Sequence, residues 1–121
     1  MPPSKVFLIE DDALIAWTTE WRLQKLGYVC SGRAASGKDA IARISADPPD
    51  VVLIDVNIEG EMDGIDVGEY LGKKTSIPFI FLTALSDSPT LARAKATKPN
   101  GFLVKPFEDK NLKAAIEMAV K

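Results

Sequence analysis

The chain contains no histidine. Ser-His-Asp and Cys-His catalysis are therefore excluded, as are histidine-ligated zinc sites. Any route through a phosphohistidine must borrow that histidine from another protein. There is one cysteine, Cys30, so no internal disulfide can form, and a reducing, cytoplasmic setting is expected. Cys30 itself reads as a small strand residue. No apolar run is long enough to span a bilayer and no signal peptide is legible, so membrane insertion is not expected. A basic excess is also missing. Lys and Arg number 15 against 17 Asp and Glu, for a net charge of −2. Direct nucleic-acid binding, which needs basic stripes, is not expected.

What remains is an ordinary globular composition, 46% hydrophobic and 26% charged over 121 residues. At this length folding buries roughly two-thirds of the unfolded surface, enough for one core without staples. No internal repeat, linker or low-complexity segment appears. The expectation is a single domain over residues 1–121, with no output domain after the last helix.

Short apolar runs alternate with longer helical patterns. Strands are predicted at 5–9, 28–32, 51–54, 79–83 and 102–105. Helices are predicted at 14–26, 36–45, from Asp63 to about 74, from Pro89 to near 97, and 108–120. Gly27 suits a helix stop, Ser36, Asp12 and Asp63 suit N-caps, and Pro89 suits a first helical turn. Five strands alternating with five helices imply a parallel sheet covered on both faces. Sites in such sheets lie beyond the carboxyl ends of the strands. Those ends hold Glu10 and Asp11, Asp55, Thr83 and Lys105. Converging carboxylates repel unless a hard cation lies between them, and oxygen-only ligands suit Mg²⁺. A strand-end Asp facing a metal is also a plausible phosphoryl acceptor.

The ordered set Glu10-Asp11, Asp55, Thr83-Ala84 and Lys105-Pro106-Phe107 resembles the receiver domains of two-component response regulators, similar to the chemotaxis response regulator. The resemblance runs from Lys5 to about Val120. Each piece alone has an ordinary reading: Asp55 as a turn residue, Lys105-Pro106 as a solvated strand end, Thr83 as a β-branched strand residue. The resemblance implies a flavodoxin-like, doubly wound, three-layer α/β fold with strand order 2-1-3-4-5. It implies a phosphorylatable switch rather than an enzyme with its own substrate, catalysing only its own Mg²⁺-dependent phosphorylation and dephosphorylation. Asp55 would take the phosphoryl group from a histidine kinase or histidine phosphotransfer protein. Asp11 and Asp55 would bind Mg²⁺ with the backbone carbonyl of Asn57, and Glu10 would act through water. Thr83 would hydrogen-bond the phosphoryl group, Lys105 would pair with it, and Phe102 would switch rotamer with Thr83 to reach an unknown downstream protein. Homodimers through the fourth helix, fifth strand and fifth helix are a habit of the family, not something these residues show.

The chain departs from the family pattern in two places. The loop after Asp55 runs Val56-Asn57-Ile58-Glu59-Gly60-Glu61-Met62-Asp63-Gly64, one residue longer than usual, with two added acids, Glu59 and Glu61, read first as solvated loop acids and alternatively as tuning metal affinity or kinase choice. Leu85 takes a position that helps set phosphate lifetime, and an apolar side chain there implies slow to moderate loss. On the first helix, Ile15, Thr19, Leu23 and Leu26 are read as the core-facing stripe. Trp17 and Trp21 then fall on the opposite face as a candidate partner surface, against the alternative of packing along their own helix. Met62 and Met118 read as gap fillers.

Three other functions compete. A docking-only receiver is disfavoured by the presence of Asp55, Asp11, Thr83 and Lys105 together. A haloacid-dehalogenase-like phosphohydrolase would need an acid where Asn57 stands. A flavin-binding protein would need a phosphate-cradling loop after the first strand.

Overall fold

Alternation of apolar runs with amphipathic segments produces five strands and five helices. A computed structural model describes residues 4–58, 60–84 and 88–120. In chain order they are β1 (Lys5–Ile9), α1 (Ala13–Lys25), β2 (Val29–Ala34), α2 (Gly37–Ala46), β3 (Val51–Asp55), α3 (Gly64–Lys74), β4 (Phe79–Thr83), α4 (Ser88–Ala96), β5 (Gly101–Val104) and α5 (Asp109–Ala119). All strand pairs are parallel and the order is β2-β1-β3-β4-β5. This is the flavodoxin-like doubly wound arrangement expected from the sequence.

β3 and β4 are buried at every position, as continuous apolar runs in a doubly covered sheet should be. Side-chain alternation divides the core in two. Val6, Leu8, Val51, Leu53, Ile80, Leu82 and Leu103 meet α1 and α5 through Ala16, Leu23, Leu112 and Ile116. Phe7, Ile9, Val52, Ile54, Phe79 and Phe81 meet α2, α3 and α4 through Ala40, Ile44, Val67, Leu71 and Ala94. Truncating any of the buried leucines to alanine costs about 2–5 kcal/mol.

The helix starts follow their caps. Asp12 accepts the N–H groups of Leu14 and Ile15, and Ser36 accepts that of Asp39. Asp63 and Asp66 form a reciprocal capping box at α3. Gly27 ends α1 with φ +93°, a conformation that glycine adopts without penalty.

Several expectations need correction. β2 reaches Ala34 rather than 32, because its register against β1 slips between Val6 and Phe7 and lets pairing continue to Ile9↔Ala34. The buried residues of α1 are Ala16, Thr19 and Leu23, whereas Ile15 is 41% exposed. The small Ala16 side chain lets the helix lie close to the sheet, which rotates Ile15 out to the flank. Met118 is exposed on α5 and fills no gap, while Met62 does pack against the core. Cys30 does lie in β2, half-buried. Burial and the nearby Glu20 carboxylate push its thiol up to about 11. The expectations for Glu59 and Leu85 lie outside the described residues. Among the described residues, no helix is long and apolar enough to cross a membrane.

Candidate functional site

The parallel sheet brings every strand's carboxyl end to one edge. β1 and β3 are neighbours at the point where the strand order reverses, and a crevice opens there. Ile9 pairs with Ile54, so the next residues, Glu10 and Asp55, emerge side by side. Thr83 ends β4 opposite Val104 of β5, and Lys105 follows one residue past the strand. The Lys105 N–H donates to the Thr83 carbonyl at 2.7 Å and holds that residue at the edge. The Lys105–Pro106 peptide is cis.

Lys105 is the cation of the site. Its Nζ donates to Asp55 Oδ2 at 3.0 Å and to Glu10 Oε1 at 3.3 Å. Asp55 Oδ1 accepts the N–H of Asn57 at 2.9 Å, and Glu10 Oε2 accepts that of Asp12 at 3.2 Å. Glu10 and Asp55 are 3% and 7% exposed, too little for water to absorb the charge of both carboxylates. Asp11, half-buried, completes the group: carboxylate oxygens of Glu10, Asp11 and Asp55 all lie within 4.8 Å of one another.

The electrostatics follow from that crowding. Burial, reinforced by the hydrogen bond and negative charge of Asp55, pushes the Glu10 carboxyl up to about 7, against the pull of the Asp12 N–H and Lys105. Burial by itself would lower the Lys105 ammonium. Its hydrogen bonds and attraction to Asp55 and Glu10 outweigh that and hold it above its ordinary value. Two buried carboxylates, Glu10 and Asp55, share the one Lys105 ammonium, with the Asp11 carboxylate beside them. An all-oxygen donor set with excess negative charge fits a hard divalent cation.

The response regulator receiver domain family matches residues 6–117. The chain belongs to this family. It is 36% identical over 118 residues to the transcriptional regulatory protein PdtaR of Mycobacterium tuberculosis H37Rv, covering 98% of this chain and 57% of that protein. The chain thus spans about half the length of the curated relatives it matches. The signal receiver domain of a modulated diguanylate cyclase from Desulfovibrio desulfuricans G20 superposes with a TM-score of 0.92 at 34% identity, over 98% of this chain and 94% of that one. The chemotaxis protein CheY4 of Vibrio cholerae superposes with a TM-score of 0.84 at 27% identity, over 97% and 98% of the two chains. Receiver domains of two-component systems act as signalling switches between kinases and downstream effectors.

Within this receiver, the residues singled out in the sequence fall into three groups. Glu10, Asp11, Asp55 and Lys105 come together. Strand alternation puts Thr83 on the opposite face of the sheet from Asp55, the face of Phe81 and α4, and it is 2% exposed. Phe102 is half-buried on that same face, edge-on to Phe81 with ring centroids 5.8 Å apart. Asn57 is exposed beside Asp55. Trp17 and Trp21 lie away from the cluster, exposed on α1. Glu61 is exposed and is not part of the acidic group.

Two features were missed in the sequence. Gly64 begins α3 so close to the end of β3 that a Cβ there would collide with the Asp55 carbonyl and Val56 Cα. A glycine directly after the Asp63 cap was the available signal. The second is Asp109, which receives Arg22 at 2.7 Å and Lys25 at 2.8 Å and ties α5 to α1. No local pattern announces a pair so distant in sequence.

Proposed function

We propose that Asp55 is the phosphoacceptor of this receiver and that the other edge residues serve the transfer. The observation that carries the reading is the Lys105 ammonium shared between the buried carboxylates Asp55 and Glu10, with Asp11 beside them. A carboxylate oxygen of Asp55 attacks the phosphorus of a donor phosphohistidine. The P–N bond breaks, its electron pair returns to the imidazole, and Asp55 becomes an acyl phosphate. This sequence has no histidine, so the donor phosphohistidine lies outside it, on a histidine kinase or a histidine phosphotransfer protein.

Transfer of this kind depends on positioning and on neutralising charge spread over the phosphoryl oxygens. Lys105 does both, since it is already seated on Asp55 and anchored through its backbone to Thr83. Asp11 and Asp55, with the Asn57 carbonyl and with Glu10 acting through water, would hold Mg²⁺, which supplies further neutralisation of that charge.

The acyl phosphate carries up to about two negative charges where the Asp55 carboxylate carried one. These draw the Thr83 hydroxyl toward the phosphoryl group. Thr83 and Phe102 share a sheet face beneath α4, so a shift of Thr83 frees space for the Phe102 ring to turn inward. The surface formed by α4 and β5 then changes for a downstream protein.

Intact mass after incubation with acetyl phosphate and Mg²⁺ tests the assignment, with Asp55→Asn in parallel. The expected result is one added phosphoryl group that requires both Mg²⁺ and Asp55. Absence of the adduct in a protein that demonstrably binds Mg²⁺ would leave a docking-only receiver.

A further inference from the structure

Helix α1 presents an apolar seam to solvent. Leu14 is 70% exposed, Trp17 66% and Trp21 57%. They stand at i, i+3 and i+7, the spacing of one continuous helical stripe. Beside the seam, a groove of about 350 Å³ runs from Leu14, Ile15, Thr18 and Arg22 of α1 to Lys105 and Phe107 at the sheet edge. Trp21 is braced before any partner arrives: Lys25 Nζ lies 4.6 Å from its ring centroid, and Lys25 is itself held by Asp109. A braced aromatic loses less entropy on binding, so it is well suited to an interface.

We propose that this seam is a self-association surface, in which two copies pack their α1 helices antiparallel about a two-fold axis near Trp17 and Thr18. Three observations select a second copy as the occupant. The spacing is self-complementary. An axis at the middle of the stripe sets Leu14 of each copy against Trp21 of the other and brings the two Trp17 rings together.

The charge is also self-complementary. α1 starts at its N-cap Asp12 and ends with Arg22 and Lys25 in its last turn, which keep one net positive charge after pairing with Asp109. Antiparallel packing sets the acidic start of each helix against the basic end of the other and aligns the helix dipoles favourably, whereas parallel packing sets like against like. The area is sufficient. Leu14, Trp17 and Trp21 of the seam, with Ile15 in the groove beside it, offer on the order of 500 Å² per copy. Two such patches with their polar rims exceed the roughly 1,000 Å² total expected of a specific interface. Leu14, Trp17 and Trp21 themselves take no part in the proposed acceptor chemistry, although the groove beside them reaches Lys105.

Analytical ultracentrifugation of the chain and of a Trp17→Glu/Trp21→Glu variant tests it, with circular dichroism as the check on folding. A Thr18→Cys variant in a Cys30→Ser background, treated with a short bis-maleimide, provides a second test that leaves the seam intact. We expect a concentration-dependent dimer, a dissociation constant raised at least about 30-fold in the double variant, and cross-linked dimer through position 18. Three results would overturn the proposal. One is a monomer throughout the micromolar range with no cross-link. Another is a dimer that survives the tryptophan changes and is lost instead on Val104→Glu or Met118→Glu. The third is a monomer whose tryptophan variant loses affinity for a histidine phosphotransfer domain, which would assign the seam to that partner.

Discussion

The two ends of the sheet carry the same kind of contact with different consequences. At the amino end, Lys5 Nζ meets Asp47 at 3.1 Å, and the Lys5 N–H donates to Asp50. At the carboxyl end, Lys105 Nζ meets Asp55 at 3.0 Å. The distances are nearly equal. The side chains of the first pair are 42% and 69% exposed, those of the second 24% and 10%. Water screens the first pair almost completely. The second pair shares its crevice with a second buried carboxylate, Glu10, on the same ammonium, and with Asp11 beside it. Distance alone therefore says little about what a lysine–carboxylate pair does; burial and charge surplus decide.

The sharpest way to break the comparison is to remove both lysines in turn. Lys105→Met should lower the rate of phosphorylation by acetyl phosphate roughly a hundred- to a thousandfold, the usual cost of losing one preorganised charged donor. Lys5→Met should leave that rate unchanged. Time courses of adduct formation at saturating Mg²⁺ measure both. Equal losses in the two variants would mean that the contrast between the ends is one of appearance only.

A milder test changes the acid. If the buried carboxylates Glu10 and Asp55 repel each other more than their shared Lys105 offsets, Asp55→Asn should stabilise the fold while abolishing its phosphorylation. The expected gain, with metal chelated, is about 1 kcal/mol, or a rise of roughly 3–5 °C in Tm. Added Mg²⁺ should then narrow the gap, because the wild-type site gains more from binding. A Tm below wild type in chelator would show that Lys105 already balances the cluster. At the amino end, Asp47→Asn offers no repulsion to relieve and should stabilise nothing.

The comparison also shows what kind of information the sequence holds. The carboxyl end was legible because each strand's apolar run stops at a chemically distinct residue, and a parallel sheet gathers such stops without any further detail. Glu10, Asp55 and Lys105 could therefore be grouped from spacing alone. The same logic yielded the caps at Asp12, Ser36 and Asp63, which depend on local pattern, whereas the strand order came only with the family resemblance. Local pattern failed where a residue's environment is set by an approach between elements. Ala16 lies in the core and Ile15 outside it because α1 settles close to the sheet, a rotation that apolar periodicity could not resolve among neighbouring hydrophobic positions. Gly64 is required by the closeness of α3 to β3. β2 extends to Ala34 because of a register slip against β1 that its own residues do not encode. The Asp109 tie between α1 and α5 joins residues too far apart in sequence for any window to see.

The smallest predicted effect is on the Lys5–Asp47 pair itself. Two exposed side chains gain little Coulomb energy in water and lose rotamer freedom when they meet. Lys5→Met should change stability by no more than about 0.5 kcal/mol, and raising the salt concentration to about 1 M should erase even that, since charges so exposed are screened over a few ångströms. Denaturant unfolding at low and high salt measures both values. A larger, salt-resistant loss would mean that the Asp50 carboxylate, which caps the Lys5 N–H at 2.6 Å, draws on the ammonium as well. The amino end would then have a charge network of its own, and what sets the carboxyl end apart would be its surplus of acid alone.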